Sequence, residues 1–489
     1  MTQKEPFLAG FSKHLCGKAK RSAQAVISDF RKRSARRSIS SYGRFFAAVL
    51  PAEFLASIDT TKRQRHFDQV TVFWAWISQI LGANASCSVA VSLIQTWCVK
   101  VGREVPDSNT SSYCQARQRI PVPFLDAILA RIDARLATAV RPVDLWHGFT
   151  LKAIDGTSVQ LCDTPENQLE FAQSSGQKDG CGFPVMGLCG LLNLSHGGWE
   201  GFVHGNMRTH DAKAAQGLLA LIGENDLLMA DRAFCSYEII SRVLANGGEV
   251  VMRLHQARHR KLDWRRGRKV SPIERLVDWE KPAVQPAASD LTPEQWAQLP
   301  EILTLRYIKL GYEDRSGEKR AIVVVTTLLD PVKHDAVEVA TLYARRWEIE
   351  TRFRDVKTTL GMEFMAVKNP AMAVKTLKMM QISYNLIRTI MQRAAIHAGK
   401  PLYEISFKGV LDQIVTGQLL FAGPWNHQKL HQQRYETVVI LCSEKLVDIR
   451  PFRLEPRAMK RRPKPFQLLT APRRVFKEIP HKSTYRKAA

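Results

Sequence analysis

Residues 151–161, LKAIDGTSVQL, alternate apolar and polar side chains, which is the period of a half-buried β-strand. Two later stretches repeat this period, FPVMGLCGLLNL at 183–194 and WEGFVHGNM at 199–207, and a turn containing two glycines separates them. Strands that follow one another after short connections usually pair with each other. These residues therefore predict a three-stranded antiparallel meander.

Downstream of the meander, strand patterns alternate with helix patterns. The apolar run LLMADRAF at 227–234 predicts a buried strand, SYEIISRVLANG at 236–247 predicts a helix that ends at its glycine, and EVVMRL at 249–254 predicts a further strand. Strands that alternate with helices form a sheet with helices on its faces. We therefore predict an α/β fold with a mixed sheet flanked by helices.

A basic segment interrupts this pattern. RHRKLDWRRGRK at 258–269 precedes a connector rich in Pro and Ala, as expected of an insertion. Strand patterns resume in ILTLRYIKLGYE at 302–313 and in KRAIVVVTTLL at 319–329, with a turn between them at 314–317. We predict a β-rich insertion over about 255–325.

The two ends of the chain differ from this central part. Apolar residues at three- and four-residue steps over 67–76, 89–98 and 111–136 predict a helical bundle, and a basic run at 18–37 precedes them. After Pro331 the pattern is again helical, whereas the last residues of the chain are rich in Pro and Arg and predict an extended, mobile tail.

These patterns divide the chain into three regions. Residues 1–140 are predicted to form a helical, basic region, residues 141–398 the α/β domain with its insertion, and residues 399–489 a helical and basic C-terminal region. A chain of 489 residues is long enough to bury several hydrophobic cores, which agrees with this division.

The charge of the chain indicates a polyanionic partner. Lys and Arg total 71 against 46 Asp and Glu, which gives a formal net charge of +25. Such an excess suits nucleic acid or an anionic membrane surface, and composition leaves both open. The most apolar stretch, 70–83, is shorter than the roughly 20 residues that span a bilayer. Because the N-terminus also lacks the apolar core of a secretion signal, we expect a cytoplasmic protein without a membrane span.

Two aspartates follow apolar strand residues. Asp155 is predicted at the end of the apolar strand residues 151–154, and Asp231 at the end of the apolar strand residues 227–230. Ligands gather at the carboxyl ends of strands in open α/β sheets, so each carboxylate is a candidate for chemistry. The alternative for either residue alone is a turn cap or an ion pair with an arginine. Both aspartates on neighbouring strands favour a shared site.

A third carboxylate lies in the helix pattern at 335–361. At about 100° per residue, Tyr343, Arg346, Glu350 and Lys357 fall within one stripe about 60° wide. The alternative is a solvated helix surface with ordinary Glu-Arg and Glu-Lys pairs. Further arginines on the same helix, in a chain already strongly positive, favour a surface that faces phosphates. They are Arg345, Arg352 and Arg354.

Three carboxylates that meet at one point repel each other unless a cation neutralises them. Mg²⁺ prefers carboxylate oxygens and water, and two such ions about 3.5–4 Å apart stabilise the attacking and leaving oxygens of phosphodiester displacement. This chemistry needs no nucleophilic side chain. Asp155, Asp231 and Glu350 are therefore the candidate ligands of a magnesium site.

The order of these motifs resembles the DDE transposases of the IS4 family. AIDGT at 153–157, MADRAF at 229–234 and the spacing Tyr343-x2-Arg346-x3-Glu350-x6-Lys357 match the motifs of that family, the last being its Y-R-E-K signature. The likeness extends over most of the chain. It includes CQARQRIP at 114–121 and RPFRLEPRAMKRRPKPF at 450–466.

The resemblance implies a ribonuclease H-like catalytic core with a β-rich insertion. It implies that Asp155, Asp231 and Glu350 are catalytic metal ligands, binding two Mg²⁺ ions for which Mn²⁺ can substitute. It also implies that Tyr343, Arg346 and Lys357 hold phosphates of the transposon end. Three arginines outside the catalytic helix and two on it are further candidates for DNA contact: Arg232, Arg265, Arg266, Arg352 and Arg354.

The resemblance also implies how the protein assembles on DNA. The N-terminal helices would recognise terminal inverted repeats in double-stranded DNA, and a homodimer would hold two transposon ends together. Relatives that excise through a DNA hairpin carry a tryptophan before the last strand of the insertion, where this chain has residues 319–322, KRAI. The aromatic candidates that could replace it are Trp264, Trp279, Tyr307 and Tyr312.

Two other functions fit the same residues. A ribonuclease H-like nuclease would only cut DNA, and the helical N-terminal region and basic tail argue against it. A catalytically inactive DNA-binding repressor of transposition would have lost its active site, and the intact carboxylates at 155, 231 and 350 argue against it. A transposase that cuts DNA and transfers the strands is the function that the sequence favours.

Overall fold

The structure is a computed structural model. It describes residues 39–61, 66–206, 211–287, 289–313, 319–421, 428–447 and 468–476. The basic run at 18–37, the turn at 314–317 and the stretch at 450–466 lie outside the described residues. Backbone contacts divide the chain into two compact units, one formed by 1–138 and 378–446 and the other by 139–377 and 447–489.

The helices are numbered in chain order. They are α1 (Ile39–Phe45), α2 (Ala52–Ile58), α3 (Gln69–Leu81), α4 (Cys87–Val101), α5 (Thr110–Arg119), α6 (Val122–Ala137), α7 (Pro165–Glu170), α8 (Asp211–Gln216), α9 (Tyr237–Ala245), α10 (Gln256–Arg260), α11 (Pro293–Ala297), α12 (Ala336–Ala344), α13 (Trp347–Arg354), α14 (Pro370–Ala398), α15 (Phe407–Gly417) and α16 (Gln428–Ser443). A π-helical turn, Asp355–Thr359, follows α13. Across the described ranges, no helix has both the length and the apolar character needed to cross a membrane.

The first unit confirms the predicted helical bundle. Side chains of α6 reach α14 at positions seven residues apart, since Lys378 Nζ lies 2.6 Å from Asp126 and Asn385 Nδ2 lies 2.9 Å from Asp133. A spacing of seven residues keeps two helices facing each other over successive turns. Because 378–446 belongs to this unit, the helices after the α/β domain pack with the N-terminal helices. The functional division at 140 and 398 stays a prediction.

The second unit contains one large mixed sheet. Its strands are β1 (Thr150–Leu161), β2 (Val185–Asn193), β3 (Trp199–Asn206), β4 (Asp226–Ala230), β5 (Glu249–Arg253), β6 (Arg268–Ser271), β7 (Glu274–Glu280), β8 (Ile302–Glu313), β9 (Lys319–Thr326) and β10 (Phe364–Met365). The strand order is β3-β2-β1-β4-β5-β9-β8-β7-β6, and β10 pairs with β1.

The first five strands confirm the predicted ribonuclease H-like core. β1, β2 and β3 form the antiparallel meander, and β4 and β5 run parallel to β1. β4 pairs with β1 only as far as Ile154, and β10 joins the same side of β1 only at Gln160. Between them, among the described residues, no strand pairs with that side of β1. We call this side of residues 155–159 the β1 gap.

The insertion extends the sheet and does not form a separate domain. β9 returns antiparallel to β5, with Val251 opposite Thr326, and β8, β7 and β6 follow in order. The predicted strands β8 and β9 are confirmed, whereas β6 and β7, within and after the basic segment, were not predicted. The buried core continues from Ile154 and Leu228 under the central strands to Trp279 and Leu305 of the insertion. The whole sheet therefore has one continuous core on this face.

A buried cluster of charges stabilises the end of the sheet opposite the β1 gap. Lys152 Nζ lies 2.8 Å from Glu200 and 2.9 Å from Asp226, and it donates a hydrogen bond to the carbonyl of Leu221. Burial alone would raise the pKa of Glu200, but a hydrogen bond with His196 and the charge of Lys152 outweigh it and lower the pKa to about 2. Both carboxylates therefore depend on the lysine.

We expect Lys152→Met to destabilise the protein by about 3–5 kcal/mol, because it leaves two buried carboxylates without a cation. The shift of the guanidinium unfolding midpoint at pH 7 measures this effect. Arg265→Met is the control, since Arg265 pairs with Asp263 on the exposed surface. Equal midpoints for wild type and Lys152→Met would show that the cluster does not stabilise the fold.

Candidate active site

Asp155 lies within β1 and not at its end. The strand continues to Leu161, so the expectation that Asp155 ends its strand is wrong. The strand that ends here is β4, whose last residue, Ala230, is opposite Ile154. Asp155 is therefore the first residue of the β1 gap. Its Oδ1 accepts a hydrogen bond of 2.8 Å from the backbone N–H of Gly156.

Asp231 directly follows β4 and lies next to Asp155. Because Ile154 and Ala230 are paired, the residues after them occupy neighbouring positions on strands about 4.7–4.9 Å apart. β5 continues this row, since Ala230 is also opposite Met252 and Arg253 comes next. The expectation that the two aspartate strands lie side by side is confirmed. Arg253 was not predicted as a residue near the site. Its place at the end of the strand next to β4 was the signal in the sequence that could have identified it.

The segment predicted as one helix over 335–361 is divided into three parts. α12 ends at Ala344, α13 begins at Trp347, and the π-helical turn Asp355–Thr359 follows. The prediction of a continuous helix is therefore wrong. A π-helical turn holds more residues than an α-helical turn, and such turns are frequent at functional sites. The turn changes the direction in which Lys357 points.

Glu350 lies on α13, which packs against the face of the sheet that carries Asp155. Gly190 is opposite Asp155 on β2, and a Cβ at Gly190 would lie only 3.2 Å from the ring of Phe353. The glycine therefore lets α13 approach the strand that carries Asp155. Gly190 was not singled out from the sequence, although a glycine within an apolar strand indicates close approach of another element.

Arg346 lies between two of the three carboxylates. Its Nη1 is 3.4 Å from Oδ2 of Asp155, and its Nη2 is 3.3 Å from Oε1 of Glu350. Its side chain is only 11% exposed. Asp231 also interacts electrostatically with this guanidinium. The guanidinium of Arg346 therefore links β1, at Asp155, to α13, at Glu350.

The environment of Asp155 opposes its ionisation. Burial raises the pKa of Asp155, and the charges of Asp231 and Glu350 raise it further. The hydrogen bond from Gly156 and the charge of Arg346 lower the pKa without fully offsetting the increase. Burial is thus the main reason that the charged form of Asp155 is disfavoured, and a cation beside the carboxylate would stabilise that form.

Tyr343 and Lys357 complete the surroundings of the carboxylates. Burial raises the pKa of Tyr343 to about 12, and the phenol hydrogen-bonds with Arg346, so it stays protonated at neutral pH and orients the guanidinium. Lys357 Nζ lies 3.3 Å from Oγ1 of Thr157, within the β1 gap. Thr157 follows Asp155 by two residues and therefore lies on the same face of β1.

The other predicted DNA-binding residues lie in different surroundings. Arg232 and Arg354 are exposed, and Arg265 and Arg266 project from the insertion beside Asp263 with side chains 93% and 87% exposed. Arg352 is buried instead and pairs with Glu348 one turn earlier on its own helix. The structure therefore does not bring Arg352 to the surface where DNA could reach it.

The aromatic candidates of the insertion are not equivalent. Trp279 is buried, with Nε1 2.7 Å from the hydroxyl of Tyr307 and the guanidinium of Arg258 3.7 Å from its ring centroid. Tyr307 is also buried, and the side chain of Tyr312 lies outside the description. Trp264 is only half-buried. Among the candidates whose side chains are described, Trp264 is the one that DNA can reach.

The donor set suits a divalent cation, although the three carboxylates are not gathered into a metal cage. Among the described residues, no group of three or more carboxylate, histidine or cysteine side chains is arranged to hold a metal ion. Arg346 lies between Asp155 and Glu350 and separates their oxygens. Carboxylate oxygens are nevertheless the ligands that Mg²⁺ prefers.

Comparisons with known proteins give consistent likenesses. Residues 146–386 match the transposase DDE domain family. The transposase InsG for insertion sequence element IS4 of Escherichia coli (strain K12) is 24% identical over 367 residues, covering 74% of this chain and 79% of that protein. The putative transposase InsZ of the same organism is 32% identical over 135 residues, covering 27% of this chain and 44% of that protein.

A solved structure is also similar. It is the cryo-EM structure of a piggyBac transposase synaptic complex with hairpin DNA, with a TM-score of 0.41 and 8% identity. The likeness covers 82% of this chain and 84% of that chain.

We expect Asp155→Asn to raise the melting temperature in metal-free buffer at pH 7. A carboxyl whose pKa is raised on folding holds its proton more tightly in the folded state, so its ionisation costs stability as the pH rises into the neutral range. The difference in melting temperature between Asp155→Asn and wild type should therefore become smaller as the pH is lowered towards 4. Asp263→Asn is the opposite control, because Arg265 lowers the pKa of Asp263. A melting temperature of Asp155→Asn below that of wild type at pH 7 would contradict the raised pKa of Asp155.

Proposed function

Because this chain belongs to the IS4 family of DDE transposases, we propose that it cuts DNA at the ends of an insertion sequence and transfers the cut strands to target DNA. The observation that supports this most is the meeting of carboxylates at the β1 gap. Asp155 and Asp231 are neighbours in register, and Glu350 reaches the same point from α13 through Arg346.

We propose that Asp155, Asp231 and Glu350 bind two divalent cations. Mg²⁺ suits a site made of carboxylates, and Mn²⁺ can take its place. When bound, such a pair of ions activates a water or a 3′-hydroxyl for attack and stabilises the departing alkoxide. The contribution of the protein would be to carry three oxygen donors on two strands and one helix, so that they can converge when the ions and DNA bind.

The cations around the carboxylates would bind the phosphates of the DNA. Arg346 offers a planar guanidinium for bidentate phosphate contact, and Tyr343 orients it. Lys357 contacts Thr157, two residues along β1 from the Asp155 that Arg346 contacts, so the two cations would hold neighbouring phosphates of the strand. Arg232 and Arg354 are exposed nearby and would extend the contact.

Double-stranded DNA would also contact surfaces outside the active site. Arg265 and Arg266 of the insertion are exposed and would follow the phosphate backbone without reading sequence. We propose that residues 1–140 recognise the terminal inverted repeats, and that 141–398 and 399–489 act as the catalytic domain and a basic C-terminal region. A homodimer would hold two ends together, in the cytoplasm and in association with the nucleoid.

Asp155→Ala, Asp231→Ala and Glu350→Ala should each reduce cleavage of DNA that carries the inverted repeats by at least about 100-fold in Mg²⁺, since a lost ligand removes several kcal/mol of transition-state stabilisation. DNA binding should persist in all three variants. Glu348→Ala is the matched control on the same helix, because Glu348 pairs with Arg345 and Arg352.

The outcomes of this experiment separate the possible functions. Near-normal cleavage by any of the three variants would overturn the site assignment. Wild-type protein that binds the ends without cutting them in Mg²⁺ would indicate a repressor, and cutting without strand transfer would indicate a nuclease.

Lys357→Gln should weaken DNA binding and reduce the slope of log affinity against log salt by about 0.9, the value for one lost phosphate contact on B-form DNA. Titration of DNA binding between low and physiological salt measures this slope. Arg352→Gln is the control, because its buried guanidinium faces Glu348 and should leave the slope unchanged. An unchanged slope in Lys357→Gln would exclude a phosphate contact by this lysine.

A further inference from the structure

The carboxylate site contains a cation of its own. The guanidinium of Arg346 reaches Oδ2 of Asp155 with one nitrogen and Oε1 of Glu350 with the other. Within the part of the chain that the structure describes, its Nε is buried and has no hydrogen-bond partner. The two terminal nitrogens therefore form the ion pairs of this side chain with Asp155 and Glu350, and both of these residues are proposed metal ligands.

Arg346 and the preceding Arg345 have different ion-pair partners. Arg345 and Arg346 lie at the break between α12 and α13, where their N–H groups donate to Leu342 and Tyr343. Arg345 Nε lies 2.8 Å from Glu348, within α13. Of these two adjacent cations, Arg346 is the one whose ion pairs with Asp155 and Glu350 the described residues show.

A guanidinium and a divalent ion compete for these oxygens. Both are attracted to the same carboxylates, and they repel each other when both are close. The contacts of Arg346 also keep the carboxylates apart from the arrangement that a metal requires, in keeping with the absence of a three-ligand cluster among the described residues. Binding of the ion therefore requires that Arg346 release at least one carboxylate.

We propose that Arg346 is the resident counter-ion of the carboxylate site, which a divalent metal displaces from Asp155 and Glu350 so that its guanidinium becomes available to a DNA phosphate. This inference rests on the proposed function. It makes Arg346 the link between two binding events, because the metal frees the group that binds DNA. By thermodynamic linkage, DNA that holds the guanidinium also strengthens metal binding by the same factor.

The first test measures Mn²⁺ binding to the full-length protein without DNA, by electron paramagnetic resonance of the free ion. Arg346→Gln should bind Mn²⁺ at least about five-fold more tightly than wild type, the lower end of common coupling factors. Arg345→Gln removes the adjacent cation, whose Nε lies 2.8 Å from Glu348, which is not a proposed metal ligand, so it should match wild type. Arg346→Lys keeps a charge and should lie between wild type and Arg346→Gln.

A purely structural role for Arg346 predicts a different result. Loss of a structural contact would lower the melting temperature of Arg346→Gln without changing the rise produced by Mn²⁺. Displacement predicts a lower melting temperature in metal-free buffer and a larger rise on adding Mn²⁺, because the variant carboxylates lack their counter-ion. Mn²⁺ affinity of Arg346→Gln equal to or weaker than that of wild type would overturn the proposal.

The second test measures coupling to DNA, with Ca²⁺ as the probe and a short duplex as the ligand. Ca²⁺ should tighten duplex binding by wild type and by Arg345→Gln, and this gain should disappear in Arg346→Gln. If Asp155→Ala binds Mn²⁺ as well as wild type does, the proposed function itself fails. If binding depends on Asp155 but neither affinity nor coupling changes in Arg346→Gln, only the counter-ion inference fails.

Discussion

Mutual repulsion among Asp155, Asp231 and Glu350 is the constraint around which this part of the chain is arranged. Three carboxylates at a partly buried point cost free energy unless cations surround them and the backbone holds them in place. The register of β1 and β4 fixes the two aspartates as neighbours, and the close approach at Gly190 allows α13 to bring the glutamate. Arg346 joins the two sides.

The β1 gap is the structural means by which the site opens in an otherwise continuous sheet. β4 ends opposite Ile154, one residue before Asp155, and β10 pairs with β1 from Gln160 onwards. Lys357 reaches the side chain of Thr157 within this gap. The buried charge cluster around Lys152 lies at the other end of β1, so one strand has a stabilising end and a reactive end.

The sequence was sufficient for the parts of the fold that have a simple period. Alternation predicted β1 to β3, apolar runs predicted β4 and β5, and both aspartates followed from their places after those runs. The break at Arg345 and Arg346 was beyond such reasoning, because apolar periodicity continues across it. β6 and β7 were missed because charged residues occupy their exposed positions, basic in β6 and acidic in β7, and resemble a loop in composition.

Individual side-chain roles were harder to predict than elements. Arg352 and Arg354 are the same residue type and lie two residues apart. Arg352 is nevertheless buried against Glu348, whereas Arg354 is exposed. The difference depends on which side of α13 packs against the sheet, and helix angles alone do not supply that. The π-helical turn likewise reorients Lys357 by a change in hydrogen bonding that leaves no mark in the residue types.

The return of β9 beside β5 has an evolutionary consequence. The chain leaves the core at Arg253 and re-enters it opposite the same strand, with Arg253 facing Val324. The entry and exit points are therefore adjacent, so the loops between the inserted strands can change in length without separating them. The inserted strands themselves share the core of the sheet, so evolution would alter the loops more readily than the strands. The number of residues between Asp231 and Glu350 therefore does not measure the distance between those two carboxylates.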